Sequence, residues 1–379
     1  MIKNFLKNLL LLCVGCAAAF LLLELFLVFY TPLASRVRGG KIVLFPYKRY
    51  VIENDKFPVM DKHIVRSNNS LGLRGDEPPA DYKEHFSLIA VGGSTTEGFY
   101  LSDGKSWPEQ LGRRFERSFT RVWANNAGMD GHSTFGHAVL LKDYLLALKP
   151  KALFFLTGLN DMGLASAGPY DELLTGDGPR PLASRLFIKA AQTSRTIALA
   201  QNIYMHAMAR KAGLVHAQLD LKAMTPAQVG PEVLKAMRAK HAPFARAYAG
   251  RLKGLITTAR QNGIEPVLIT QPLLCGKGKD PATGVDLVLL PTNDEFVNCG
   301  VRWQVLEMYN DAARGVAAAE KTPLSDIARE MPKDSRNFYD LCHFTTAGAE
   351  ALAENVYRDT CQAMAKLAPG DYKGGCPKR

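Results

Sequence analysis

Apolar and polar positions alternate along this chain in three regimes. The first is a single unbroken run, Leu9 to Tyr30, of 22 residues with one charge, Glu24. At 1.5 Å per residue it is long enough to cross a hydrocarbon core of about 30 Å. It exceeds the roughly 7–15 residues of a cleavable signal's apolar region, and no small-x-small site closes it, so an uncleaved anchor is expected. The second regime, 31–84, is irregular and carries Pro32, Pro46, Pro58, Pro78 and Pro79. It reads as a linker and lead-in. In the third, short apolar runs at Ser87–Val91, Val122–Asn125, Ala152–Thr157, Pro266–Thr270 and Pro323–Ile327 alternate with stretches of helical period. Those stretches are Trp107–Phe119, Phe135–Leu148, Phe244–Asn262, Trp303–Ala319 and Thr346–Ala365. Strands alternating with helices predict a parallel sheet covered on both faces, an α/β fold.

The pattern divides the chain into a short basic N-terminus (1–8), an anchor (9–30), the lead-in (31–84), a catalytic domain (85–365) and a tail (366–379). An Ala-rich helical insertion at about 162–243 separates the third strand from its helix. Composition is ordinary for a globular protein, 47 % hydrophobic and 22 % charged, which excludes a disordered or low-complexity chain. One apolar run of spanning length excludes a multi-span transporter.

The net charge is +11, from 47 Lys and Arg against 36 Asp and Glu. Its location is more informative than its size. Between Leu182 and Lys253 stand twelve basic residues against Asp220 and Glu232, so this segment supplies +10 and the remaining chain +1. A solvated helical face is one reading. The other is a surface for anionic lipid or an acidic glycan. No nucleic-acid reading motif accompanies it.

Orientation is set by opposing signals. Lys3 and Lys7 precede the span, while Arg36, Arg38, Lys41, Lys48 and Arg49 follow it, and that count alone would keep the domain in the cytoplasm. A short basic N-terminus ahead of an apolar run is the usual export signal, and large domains are exported regardless of flanking charge. Cysteine usage agrees with export: Cys275 with Cys299 and Cys361 with Cys376 close short loops, leaving Cys342 free. The domain is therefore expected on the exported side.

Four strand ends carry chemistry. The first strand runs into Gly92-Gly93-Ser94-Thr95-Thr96-Glu97-Gly98, which has neither the Walker A nor the dinucleotide glycine spacing, and is not the G-x-S-x-G elbow. The second ends in Asn125-Asn126-Ala127-Gly128 and the third in Gly158-Leu159-Asn160-Asp161. The last strand and helix flank Asp340-Leu341-Cys342-His343. In a doubly wound sheet these ends share one rim. With these blocks in this order, the sequence resembles the SGNH, or GDSL-type, hydrolase family over about 85–365, apart from the insertion. The resemblance implies a three-layer α/β/α sandwich. It departs from the family where Gly93 replaces the usual aspartate before the nucleophile.

The roles follow from acyl chemistry. Ser94 would attack an ester carbonyl, His343 would take its proton, and Asp340 would hold the imidazole tautomer. The N–H groups of Ser94 and Gly128 and the amide of Asn160 would receive the oxyanion. Cys342 adjoins His343, but adjacent side chains on a loop diverge, so it is not expected to act as nucleophile. Asp161, His132 and His137 lie near the rim without metal-ligand spacing, and no metal or cofactor is expected. The function expected is serine-dependent hydrolysis of an O-acyl group on an envelope glycan or lipid. Acyl transfer through the same acyl-Ser94 intermediate and a non-catalytic glycan-binding or assembly protein on the same fold are the alternatives.

Overall fold

The computed structural model describes residues 2–30, 36–167, 171, 182–211, 216, 218–292 and 294–378. Residues 31–35 of the expected lead-in, and 168–170, 172–181, 212–215 and 217 of the expected insertion, lie outside them. The chain divides into two units, 1–43 with 172–215 and 44–171 with 216–379.

The first unit holds helix α1 (Ile2–Phe29) and a short antiparallel pair, β1 (Val37–Arg38) and β2 (Lys41–Ile42). It also contains two helices from the expected insertion, described below. From Leu9 onward the α1 helix is apolar apart from Glu24, and it is almost wholly exposed, with Leu27 its one buried residue.

The second unit opens with an antiparallel pair, β3 (Arg49–Glu53) and β4 (His63–Ser67), and a two-residue strand, β5 (Arg74–Gly75). Next come β6 (Phe86–Gly92), the single turn α2 (Ser94–Glu97), α3 (Trp107–Phe115), β7 (Val122–Asn126), α4 (Thr134–Leu140) and β8 (Ala152–Leu156). Between α4 and β8 the helix continues through a π turn, Leu141–Leu145, to Leu148. In the first unit, α5 (Leu182–Thr193) and α6 (Arg195–Lys211) follow in chain order. The second unit then resumes with α7 (Pro231–Gln261), β9 (Glu265–Ile269), α8 (Cys299–Ala319), β10 (Leu324–Ser325), α9 (Ile327–Glu330) and α10 (Thr346–Leu367).

The sheet order is β10-β9-β8-β6-β7-β5. Strands β6 to β10 are parallel, and β5 adds to the edge antiparallel, Arg74 opposite Asn126. The fold is thus the expected α/β class with a central parallel sheet. Every residue of β6 and β8 is buried, which is why both read as unbroken apolar runs: a central strand has no wet face. Phe86, Phe115, Phe119, Phe154 and Phe155 are at most 1 % exposed, each contributing about 1.5–3 kcal/mol over an exposed position. Helix α3 starts where Ser106 and Glu109 form a reciprocal cap, Pro108 fitting the first turn.

Two disulfides close loops at the sheet's periphery: Cys275–Cys299 with Cα atoms 5.0 Å apart, and Cys361–Cys376 at 5.6 Å. With sequence separations of 24 and 15, each stabilises by about 3 kcal/mol on the chain-entropy model. Cys342 is free.

Candidate active site

In this strand order the connections switch from one side of β6 to the other between β6 and β8, and the crevice beyond their carboxyl ends is where doubly wound folds hold ligands. Ser94 opens α2 immediately beyond β6. As first residue of the turn, its N–H has no carbonyl within the turn to bond, whereas Thr96 and Glu97 N–H both donate to Gly93 O at 3.0 Å. Ser94 Oγ lies 2.7 Å from His343 Nε2, and His343 Nδ1 lies 2.6 Å from Asp340 Oδ2. The other Asp340 oxygen accepts the backbone N–H of Cys342 (2.9 Å) and of His343 (2.7 Å). One carboxylate therefore folds its own loop and orients the imidazole. Burial acts to raise the Asp340 carboxyl, but the facing His343 and these hydrogen bonds outweigh it and hold the group below its usual value. The carboxylate stays ionised.

Asn160 follows β8. Its Nδ2 donates to His132 O at 3.0 Å, and a Cβ built on Gly93 would meet that nitrogen at 2.4 Å. Glycine at 93, where the resemblance leads one to expect aspartate, lets this amide approach the backbone closely. Ser94, Asn160, Gly158 and Gln271 line one small hollow. Gly128 is held differently. Its N–H donates to Asn126 Oδ1 at 2.8 Å, while Asn126 Nδ2 donates to Thr96 O at 2.7 Å. A Cβ on Gly128 would lie 2.3 Å from Glu97 N, so glycine is needed for the β7 exit loop to pass against α2.

The other residues near the rim act as supports. Asp161 is buried, accepts from Thr134 Oγ1 (2.5 Å) and Arg251 Nη2 (3.1 Å), and anchors the start of α4 to α7. His132 Nδ1 lies 3.1 Å from Asp171 Oδ1. Burial lowers the His137 imidazole to about 4, so it is neutral at physiological pH. Burial and the Asp340 charge push the Cys342 thiol well above its ordinary range, which removes the thiolate a cysteine nucleophile needs.

Three features escape sequence patterns. The Glu97 carboxylate accepts from Arg66 Nη2 (3.1 Å) and from the Asp130 N–H (2.7 Å), tying α2 to β4 and to the β7 exit loop. Arg74, 2 % exposed, donates to the carbonyls of Gly98, Leu101 and Ser102 at 2.7–2.9 Å and fixes the loop after α2. His216 lies over the His343 imidazole, ring centroids 4.2 Å apart, with Nδ1 2.8 Å from the Tyr339 hydroxyl and Nε2 3.8 Å from Asp130. Burial lowers its pKa, but Asp130, Asp340 and Glu97 outweigh that and leave it raised. Glu97 was in view in the glycine-rich block, but nothing in the sequence marks His216.

His216, Asp340 and His343 bring three possible ligand atoms within 4.8 Å of one another. Both His343 nitrogens are already engaged, one with Ser94 and one with Asp340. A cation would have to break that chain, so the arrangement suits proton transfer better than metal binding.

A sequence model of the GDSL-like lipase/acylhydrolase family matches residues 90–351. Similar solved structures include an acetylxylan esterase from Geobacillus stearothermophilus, with 14 % identity over 72 % of this chain and 93 % of that one, TM-score 0.39. A lipase/acylhydrolase from Enterococcus faecalis matches at 16 % identity over 77 % and 98 %, TM-score 0.39. No curated protein matches the chain.

Proposed function

Because this chain belongs to the GDSL-like lipase/acylhydrolase family and is a serine ester hydrolase, we propose that it removes O-acyl groups from an envelope glycan or lipid, with Ser94, His343 and Asp340 as its triad. The observation that carries the triad is the continuous hydrogen-bonded chain from Asp340 Oδ2 through the imidazole to Ser94 Oγ, at 2.6 and 2.7 Å. Asp340 accepts from Nδ1–H, leaving Nε2 unprotonated to take the Ser94 proton as Oγ attacks the ester carbonyl. The imidazolium then protonates the departing alkoxide. Water repeats the sequence on the acyl-enzyme to release the acid and restore Ser94.

The negative oxygen of each tetrahedral intermediate is received by the Ser94 N–H and the Asn160 amide. Gly128 N–H joins them only by sharing its bond to Asn126, so we assign it the weaker part. Asn160→Ala should lower kcat by about a hundredfold or more, since one oxyanion donor is worth on the order of 3 kcal/mol, and leave KM nearly unchanged. Steady-state kinetics on a soluble aryl ester check this. A change confined to KM would recast Asn160 as a substrate-binding residue.

The substrate reading is tested by incubating the full chain in detergent with short and long aryl esters and acylated envelope glycans or lipids. Both released acid and acylated acceptor are measured. Free acid from the envelope substrate is expected; an acylated acceptor in its place would replace hydrolysis by transfer, and no turnover of any ester would leave a binding protein.

We read α1 as a retained membrane anchor, with the catalytic unit on the exported side. Retention is supported by Glu24. Its carboxylate accepts the Ser194 hydroxyl and, at 2.9 Å, the N–H groups of Arg195 and Thr196, bonds that a cleaved chain would lose. Export is supported by the two disulfides, which persist in oxidising compartments. Acid-quenching whole cells, alkylating in denaturant and mapping by mass spectrometry should label Cys342 alone among the five cysteines outside the span. Five labelled thiols would return the domain to the cytoplasm.

A further inference from the structure

Glu24 sits in the outer part of the apolar run, six residues before Tyr30, or about 9 Å along the helix axis from its end. A carboxylate at that depth is costly unless it is satisfied. It is satisfied by the corner between α5 and α6: Ser194 Oγ, Arg195 N and Thr196 N all donate to it. These are the free donors of the α6 N-terminus, and Glu24 acts as their cap from another helix. The hairpin is fastened a second time beyond the membrane end of α1. Arg38 Nε donates to Ala191 O (3.0 Å), Gln192 Nε2 to Gly39 O (2.7 Å), and Gly39 N to Gln201 Oε1 (3.1 Å). Two independent attachments therefore fix the depth of the hairpin relative to the anchor.

From this geometry we infer that the α5–α6 hairpin is itself embedded in the outer leaflet, or interfacial layer, of the bilayer that α1 crosses. The inference rests on reading α1 as a membrane anchor. With the α5–α6 corner fixed about 9 Å inside the apolar run, the hairpin meets lipid wherever it is not covered by protein. Its exposed surface suits that medium: Leu182, Leu186, Phe187, Ile203 and Tyr204 are 43–70 % exposed. Leu182 and Leu186 lie one turn apart, and Arg185 and Lys189 form the adjacent stripe. Residues 182–211 contain five basic and no acidic residues. Apolar side chains beside long cations are the composition of a helix lying at a membrane surface, the cations reaching up to anionic headgroups. The five cations of the hairpin thereby acquire a partner, the anionic lipid of the anchor's own membrane.

The test uses the full chain in a phosphatidylcholine–phosphatidylglycerol bilayer carrying a phospholipid with a diazirine in its acyl chain. After illumination, adducts are mapped by mass spectrometry. Adducts on α1 and on 182–190 together are expected. Adducts on α1 alone would overturn the embedded hairpin and leave the anchor standing. Adducts on neither, with protein released by carbonate, would overturn the anchor as well. Glu24→Ala should lower the adducts on 182–190 by about fivefold, the loss in docked population that removing one N-cap brings, while those on α1 persist. Unchanged labelling would refute the role of Glu24. Aryl-ester turnover in detergent, expected to be unaltered in this variant, shows that it has folded. If Glu24→Ala loses that turnover, Leu186→Glu replaces it, with the same fall at 182–190 expected and unchanged labelling there overturning the inference.

Discussion

Replacing Ser94 with alanine should lower ester turnover by about five to six orders of magnitude and leave the protein folded. In the proposed mechanism the Ser94 hydroxyl oxygen bonds to the acyl carbon; the Cys342 sulfur also lies 4.0 Å from His343 Nε2, but burial and the Asp340 charge hold that thiol protonated. What rate survives comes from the oxyanion donors and substrate binding acting on water. The structural cost is small. Ser94 lies on the rim, 9 % exposed, and losing Oγ deprives His343 of one hydrogen bond, worth about 1 kcal/mol net. Single-turnover kinetics on an aryl ester, with a thermal melt of each protein, separate the two effects. A variant retaining a substantial fraction of the wild-type rate would remove Ser94 from the mechanism.

Asp340→Asn should lower kcat by about ten-thousandfold, again without unfolding. Asn keeps an oxygen where Oδ1 accepts from Cys342 N and His343 N, so the loop remains closed. Its amide would then face His343 Nδ1 in place of Oδ2. An N–H aimed at Nδ1 forces the ring proton onto Nε2, where it meets Ser94 Oγ as a donor and cannot accept the proton of attack. The imidazolium also loses the charge that stabilises it. Measuring kcat beside the imidazole proton resonances tests both parts. Near-normal turnover, or an unchanged tautomer, would reduce Asp340 to a loop-building residue.

Much of this site is legible in the chain because its parts lie at strand ends. A buried parallel strand must be apolar throughout, so β6, β7 and β8 stand out, and Ser94, Gly128 and Asn160 follow them at once. The other two members of the proposed triad, Asp340 and His343, lie on one loop only three residues apart. Other features were invisible for physical reasons. Strand β5 has two residues and no periodicity. Arg66 and Arg74 look like linker cations, and their burial depends on Glu97 and on loop carbonyls far along the chain. Helix α7 runs through Pro243, where the loss of one hydrogen bond normally signals a boundary, so the sequence pattern hides its start at Pro231. Glu24 appears as an isolated cost inside an apolar run because its donors come from 170 residues or more away.

The central claim is that Ser94 becomes the acylated atom through His343. It is tested most directly by treating the full-length protein with an aryl fluorophosphonate and mapping the adduct by mass spectrometry, with His343→Ala alongside. A single stoichiometric adduct on Ser94, formed far more slowly when His343 is absent, is the predicted result. An adduct on another residue, or labelling of Ser94 at the same rate in His343→Ala, would contradict it.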